Sequence, residues 1–128
     1  MSAQIGNITF DCAEWAPLVA FWSQLGDFGE DPSNPNQPGD PEGLLVSAST
    51  GIALLFIPVP EPKAVKNRVH LDLVPTDRTR DDEVERLLGL GATLLADFRK
   101  DDGTGFAVLA DPEGNEFCVE RSKAERGS

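Results

Sequence analysis

A lone histidine with an acid two residues further on is the first pattern in this chain with chemical consequence. His70 is the only histidine, and it lies in Asn67-Arg68-Val69-His70-Leu71-Asp72-Leu73-Val74. Val69, Leu71 and Leu73 alternate with Arg68, His70 and Asp72, which predicts a strand carrying His70 and Asp72 on its polar face. An imidazole so placed can ligate a metal, act as a base oriented by Asp72 or Asn7, or form the hydrogen-bonding wall of a ligand cavity. The same parity puts Cys118 and Glu120 on one face of a C-terminal strand, with Glu120 a candidate base. It puts Asn7, Thr9 and Asp11 on the polar face of an N-terminal strand. Nothing near Cys118 in sequence lowers its pKa, so it reads as an inert buried thiol. Cys12 and Cys118 are the only cysteines, too few for a four-thiolate cluster, and read as reduced thiols of a cytoplasmic protein.

The elements that must hold these residues can be read in order. Ile5 to Cys12 alternates as a half-buried strand. Glu14 to Leu25 follows with Trp15, Leu18, Val19, Trp22 and Leu25 at helical spacing, Pro17 in its first turn and Gly26 at its stop. Its aromatics read as core rather than as a ligand box. Gly29 to Gly43 carries Pro32, Pro35, Pro38 and Pro41 at every third residue and reads as a solvent-exposed connector, with a lid over a site as the alternative. Leu44 to Ser49 and Ile52 to Val59 are two strands around a turn at Thr50-Gly51, and Pro-rich sequence leads on to Lys66. The pattern then restarts. Arg68 to Val74 is a strand, Asp77 to Leu90 a helix with acids early where they complement its dipole, and Thr93 to Arg99 a strand. Phe106 to Ala110 and Glu116 to Arg121 form a hairpin around Asp111-Pro112-Glu113-Gly114-Asn115, and a charged tail ends the chain.

Each half thus reads strand, helix, then two or three strands, and an internal duplication explains this better than coincidence. The expected fold is α+β: one domain over 1–128, with module one at about 5–59, a linker at 60–67 and module two at about 68–121. Two such modules side by side would form a cupped mixed sheet with the helices outside and the polar-facing residues lining the cup.

Composition narrows the function. A net charge of −11 disfavours nucleic acid and anionic membranes, because both demand an electropositive surface. No apolar run approaches the roughly 20 residues of a membrane span, and no signal-peptide pattern opens the chain. Lys63, Lys66 and Arg68 form a small basic cluster that reads as solvated surface.

Lys66-Asn67-Arg68-Val69-His70-Leu71-Asp72-Leu73 and Asp111-Pro112-Glu113-Gly114-Asn115-Glu116-Phe117, set in paired strand–helix–strand modules, resemble the vicinal oxygen chelate superfamily and its glyoxalase-like subgroup. That superfamily includes glyoxalase I, bleomycin-resistance proteins and extradiol dioxygenases. The resemblance implies one metal ligand from each of four strands: Asn7, then Leu54 or Phe56, then His70, then Cys118. An apolar residue removes one ligand outright, Asn7 is a weak donor and Cys118 is soft, which is a poor set for a hard divalent ion. Glu120 is the substitute, so a metal, if present, would sit on His70 with Glu120. The reading that follows is a metal-free, cofactor-free small-molecule-binding protein, dimeric in the manner of bleomycin-resistance proteins. Asn7, Thr9, Asp11, Phe56, His70, Asp72, Cys118 and Glu120 would line the ligand, with Asp11, Asp72, Glu116 and Glu120 attracting a cation. The alternative is a lyase, isomerase or dioxygenase using a divalent metal near His70, and sequence leaves open whether the protein is an enzyme.

Overall fold

Apolar alternation in the first half condenses around one helix. In the computed structural model, which describes residues 2–127, strand β1 (Asn7–Cys12) precedes helix α1 (Trp15–Trp22). Leu18, Phe21 and Trp22 of α1 are buried, and the Phe10 ring packs 5.1 Å from Trp22 and 5.3 Å from Phe56. The helix closes earlier than its periodicity predicts. Gln24 and Leu25 donate to the carbonyls of Phe21 and Trp22 in i→i+3 bonds, a tightening common at helix ends.

Three strands complete this unit: β2 (Phe28–Gly29), β3 (Gly43–Ser47) and β4 (Ala53–Pro58). The sheet order is β1-β4-β3-β2, with β1 parallel to β4 and the other pairs antiparallel. β2 is too short to leave a periodic trace in the sequence. The proline-rich stretch between β2 and β3 is tied to the unit's frame. The Asn36 side chain donates to the Leu44 carbonyl and accepts from the Leu44 N–H, both at 2.8 Å, and the Trp15 indole donates to the Asp40 carbonyl at 2.8 Å. These bonds make it a fastened connector.

The second half repeats the plan. Strand β5 (Leu71–Leu73), helix α2 (Arg80–Gly89), and strands β6 (Thr93–Asp97), β7 (Ala107–Ala110) and β8 (Glu116–Val119) give the order β5-β8-β7-β6, with β5 parallel to β8. The two halves therefore share one topology, strand for strand, and both sheets are mixed and open. One compact unit runs to Lys63 and the other starts at Ala64. Val84 and Leu87 of α2 are buried, as are Ala107, Leu109, Phe117 and Val119, which share one face of the sheet.

Several boundaries differ from expectation for local reasons. β5 begins at Leu71 instead of Arg68, because the Asn67 N–H is satisfied by the Glu116 carboxylate at 3.1 Å and not by a ladder partner. Val69, expected in the core, is 78% exposed. α2 begins at Arg80, where Thr79 caps it by accepting from the Asp82 N–H at 3.1 Å. The charged tail folds back onto the second unit. The Glu125 carboxylate accepts from the N–H groups of Arg80 (2.6 Å) and Ser122 (2.9 Å), fastening the C-terminal segment to the start of α2. Arg80 itself is buried and donates through Nη1 to the carbonyls of Gly103, Thr104 and Gly105.

Candidate functional site

The site begins with a strand pairing. β8 lies inside its sheet, between β5 and β7, and its register sets Asp72 opposite Cys118 and Cys118 opposite Val108. Residues opposed in register send their side chains to the same side of a sheet. Asp72, Cys118 and Val108 therefore share the face turned away from Phe117, Val119 and the helix-side core. His70 precedes Asp72 by two residues and comes to the same place, with Nε2 at 3.3 Å from Asp72 Oδ1.

A ligand-capable atom of each of His70, Asp72 and Cys118 lies within 4.8 Å of the other two. The side chains of His70 and Asp72 are about half exposed, at 44% and 51%, while Cys118 is buried. Burial pushes the Cys118 thiol up to about 11, reinforced by the charge and hydrogen bond of Asp72 and then by Glu120. At neutral pH the thiol is a protonated donor to Asp72 and no nucleophile. Val108 and Ala110, both buried, supply an apolar floor beside it.

The other acids of this face are engaged by cations. Glu116 accepts from Lys66 Nζ at 3.3 Å and from the Asn67 N–H at 3.1 Å. Glu120 accepts from Arg126 Nη2 at 2.8 Å. Asp72, Glu116 and Glu120 were expected to attract a cationic ligand, and each has a partner within the chain. Glu120 was also the expected companion of His70 around a metal. The residues whose donor atoms gather with His70 are Asp72 and Cys118, and Glu120 is not in that group.

The first unit holds the remaining expected residues on two different faces. Asn7, Thr9 and Asp11 lie on one face of β1, exposed, with Asn7 Nδ2 donating to Thr9 Oγ1 at 2.9 Å. Their register neighbours on β4 are Ala53, Leu55 and Ile57, none of which can ligate or ionise. Leu54 and Phe56 lie on the opposite face, fully buried against the α1 side. Phe56 is thus a core residue, away from the polar face to which it was assigned.

Two links escaped the sequence reading. The joining of Asp72 to Cys118 depends on β5 pairing in parallel with a strand more than forty residues away, which no local pattern encodes. The capture of Glu120 by Arg126 depends on the tail folding back. For the first, the family resemblance set Cys118 and His70 in one site without giving the pairing with Asp72; for the second, the only sequence signal was charge complementarity, which at this density is uninformative.

A family model described as a glyoxalase-like domain matches residues 7–120. No curated protein sequence matches the chain. Among solved structures, it is similar to a glyoxalase/bleomycin resistance protein/dioxygenase family enzyme from Burkholderia phytofirmans PsJN, with TM-score 0.66, 21% identity, and 91% of this chain and 97% of that one covered. It is similar to the fosfomycin resistance protein FosX from Mesorhizobium loti, with TM-score 0.66, 16% identity and 98% of each chain covered. A FosX mutant from Listeria monocytogenes, complexed with Mn(II) and 1S,2S-dihydroxypropylphosphonic acid, aligns over 100% of both chains with TM-score 0.64 and 16% identity. At these identities the likeness carries the fold.

Proposed function

Because the chain belongs to the glyoxalase-like domain family, we propose that it is a small-molecule-binding protein whose ligand docks on the polar face of β5 and β8, over His70, Asp72 and Cys118. The ligand is held directly by side chains, without a hard divalent ion. The observation that carries this reading is the donor set itself: one imidazole, one carboxylate and one protonated thiol, with no second free carboxylate in the group.

The Mn(II) of the Listeria FosX complex is the reference for a hard ion in this fold. Such ions favour oxygen-rich, near-octahedral sets of carboxylates, carbonyls and water. Here the strand neighbours of Asn7, Thr9 and Asp11 are apolar, Glu116 and Glu120 are spent on Lys66 and Arg126, and the third donor is sulfur. These residues do not fit that ion.

The same face indicates what kind of ligand would suit it. Glu116 and Glu120 are paired with Lys66 and Arg126, which leaves Asp72 as the charge of this group, so the acidic composition serves solubility better than recognition. The imidazole Nε2 faces Asp72 Oδ1 at 3.3 Å, which leaves Nδ1 to meet a ligand N–H or O–H. Val108, the register partner of Cys118, makes the next strand apolar on this face. A polar molecule with an apolar body matches this arrangement. A second reading, a lyase or isomerase in which His70 is a base held by Asp72, is favoured by the 3.3 Å contact between them.

The test is a thermal-shift and calorimetric screen of EDTA-treated protein against fosfomycin, a cationic glycopeptide of the bleomycin type and neutral polar metabolites, with His70→Ala in parallel. The reading predicts a binder in EDTA whose heat and thermal shift are lost in His70→Ala. Binding that appears only with added Mn(II), or that ignores His70→Ala, would overturn it. Turnover of a bound compound, lost in His70→Ala, would select the enzyme reading.

A further inference from the structure

Each sheet of this repeated plan ends in an outer strand, and the two outer strands are built differently. β2 closes the first sheet and β6 the second, and each pairs with a single neighbour. β2 is only Phe28–Gly29, with Asp27 before it and Glu30 and Asp31 after it. A very short strand dressed in like charge keeps an open edge from meeting another. β6 runs over five residues, Thr93–Asp97, and exposes Leu94 and Leu95 instead. We propose that β6 and its flanks are the surface on which a second copy of this chain docks. The inference goes beyond ligand binding and does not rest on it.

Apolar side chains gather around this strand. Among the described residues nine large hydrophobics are exposed, and five of them, Leu90, Leu94, Leu95, Phe98 and Phe106, belong to β6 or flank it. They wrap the edge from one side to the other. Leu94 opposes Leu109 and so faces the helix side, where Leu90 ends α2. Phe106 precedes Val108 by two residues and faces the other side, with the Phe98 ring 5.2 Å from its own. A register shift between Leu94 and Ala96 leaves Leu95 without a partner on β7, 51% exposed at the middle of the strand. That bulge interrupts the outward row of backbone groups, so the contact is side-chain packing and not a continued sheet. A contiguous belt of leucine and phenylalanine is the composition of an interface core.

Charge selects the occupant. The chain carries −11, so two copies repel wherever unbalanced acids meet. Residues 90–99 hold one acid and one base, Asp97 and Arg99, and these pair at 2.8 Å. The other Arg99 nitrogen holds Asp81 at 3.2 Å. The belt is therefore locally neutral, a place where an acidic chain can meet its own kind, and it offers no surplus acid to a basic partner. With Leu95 at the midpoint of the strand, a two-fold axis beside it sets the same residues against each other in both copies.

Sedimentation equilibrium of the full-length protein over a concentration series tests this. The proposal predicts a mass that rises to twice 13.8 kDa. Leu95→Glu, which sets two acids beside the axis, should weaken the dimer by roughly tenfold or more. Ile5→Glu, at a 67% exposed position in the first unit, should leave it unchanged. A second readout avoids reliance on the folding of Leu95→Glu: mild oxidation should link Leu95→Cys into a disulfide dimer, while the wild-type protein, with Cys12 and Cys118 both buried, stays unlinked. A monomer at every concentration, a dimer that survives Leu95→Glu or is weakened as much by Ile5→Glu, or no cross-link in Leu95→Cys would overturn it.

Discussion

Cys118 is held as a thiol by burial first and by the negative charge of Asp72 second, which lifts it to about 11. Thiolate is the reactive form, so iodoacetamide should modify Cys118 of metal-free protein slowly at neutral pH and accelerate only as the pH nears about 11. Asp72→Asn removes a charge that opposes ionisation, so the same measurement should show faster alkylation at any given pH. A rate already maximal near neutrality would contradict this account. Much of this residue-scale picture was legible in the sequence: strand parity alone placed His70, Asp72, Cys118 and Glu120 off the apolar face. Phe56 was misplaced because Ile52 to Val59 is apolar nearly throughout, and a run without alternation does not reveal which side faces the core. Asp72 was already named as a partner of His70, but Glu120 was misjudged as its companion around a metal, because the pairing of Glu120 with Arg126 is settled by chain segments that meet only on folding.

At the scale of elements, two positions carry more than their size implies. Gly43 opens β3 beneath α1, and a Cβ there would come within 2.8 Å of both the Trp15 ring and Val19 Cγ2. Trp15 is itself tied to Asp40, so the ring has little room to yield. Gly43→Ala should therefore destabilise the protein by about 1–3 kcal/mol, measured by urea unfolding, and no loss would show that α1 can shift. Thr79 caps α2, and Thr79→Ala should cost about 0.5–2 kcal/mol in the same assay, with Thr79→Ser restoring most of it. The presence and order of these elements were readable from periodicity and turn residues. Their ends were less so: α2 starts where Thr79 caps it, a local contact within one turn, and β5 starts beyond Asn67, whose N–H is held by Glu116 across the fold.

At the scale of the whole molecule, one βαβββ plan is used twice, and the repeat that was faint in sequence is plain in the shared strand order. No helix among the described residues is long and apolar enough to cross a membrane. Acid should unfold this protein through its paired carboxylates. Hydrogen bonds from the Arg99 side chain and then its backbone hold Asp97 at about 2 against an ordinary 3.8, and hydrogen bonds and charge from Arg80 and Arg99 lower Asp81. A depressed acid contributes stability that is complete above its unfolded pKa and is lost as the pH falls through its folded one. Thermal stability should thus decline between about pH 4 and pH 2, less steeply in Arg99→Gln, whose Asp97 titrates nearer 3.8. An identical pH profile in Arg99→Gln would remove this network from the explanation. The central claim is that this family member works without the hard ion that the fold carries in the Listeria FosX complex. Its most direct test is the electron paramagnetic resonance signal of free Mn(II) during titration into EDTA-treated, desalted protein. The account predicts a free-ion signal that rises as in buffer alone; loss of one equivalent of signal per chain would contradict it.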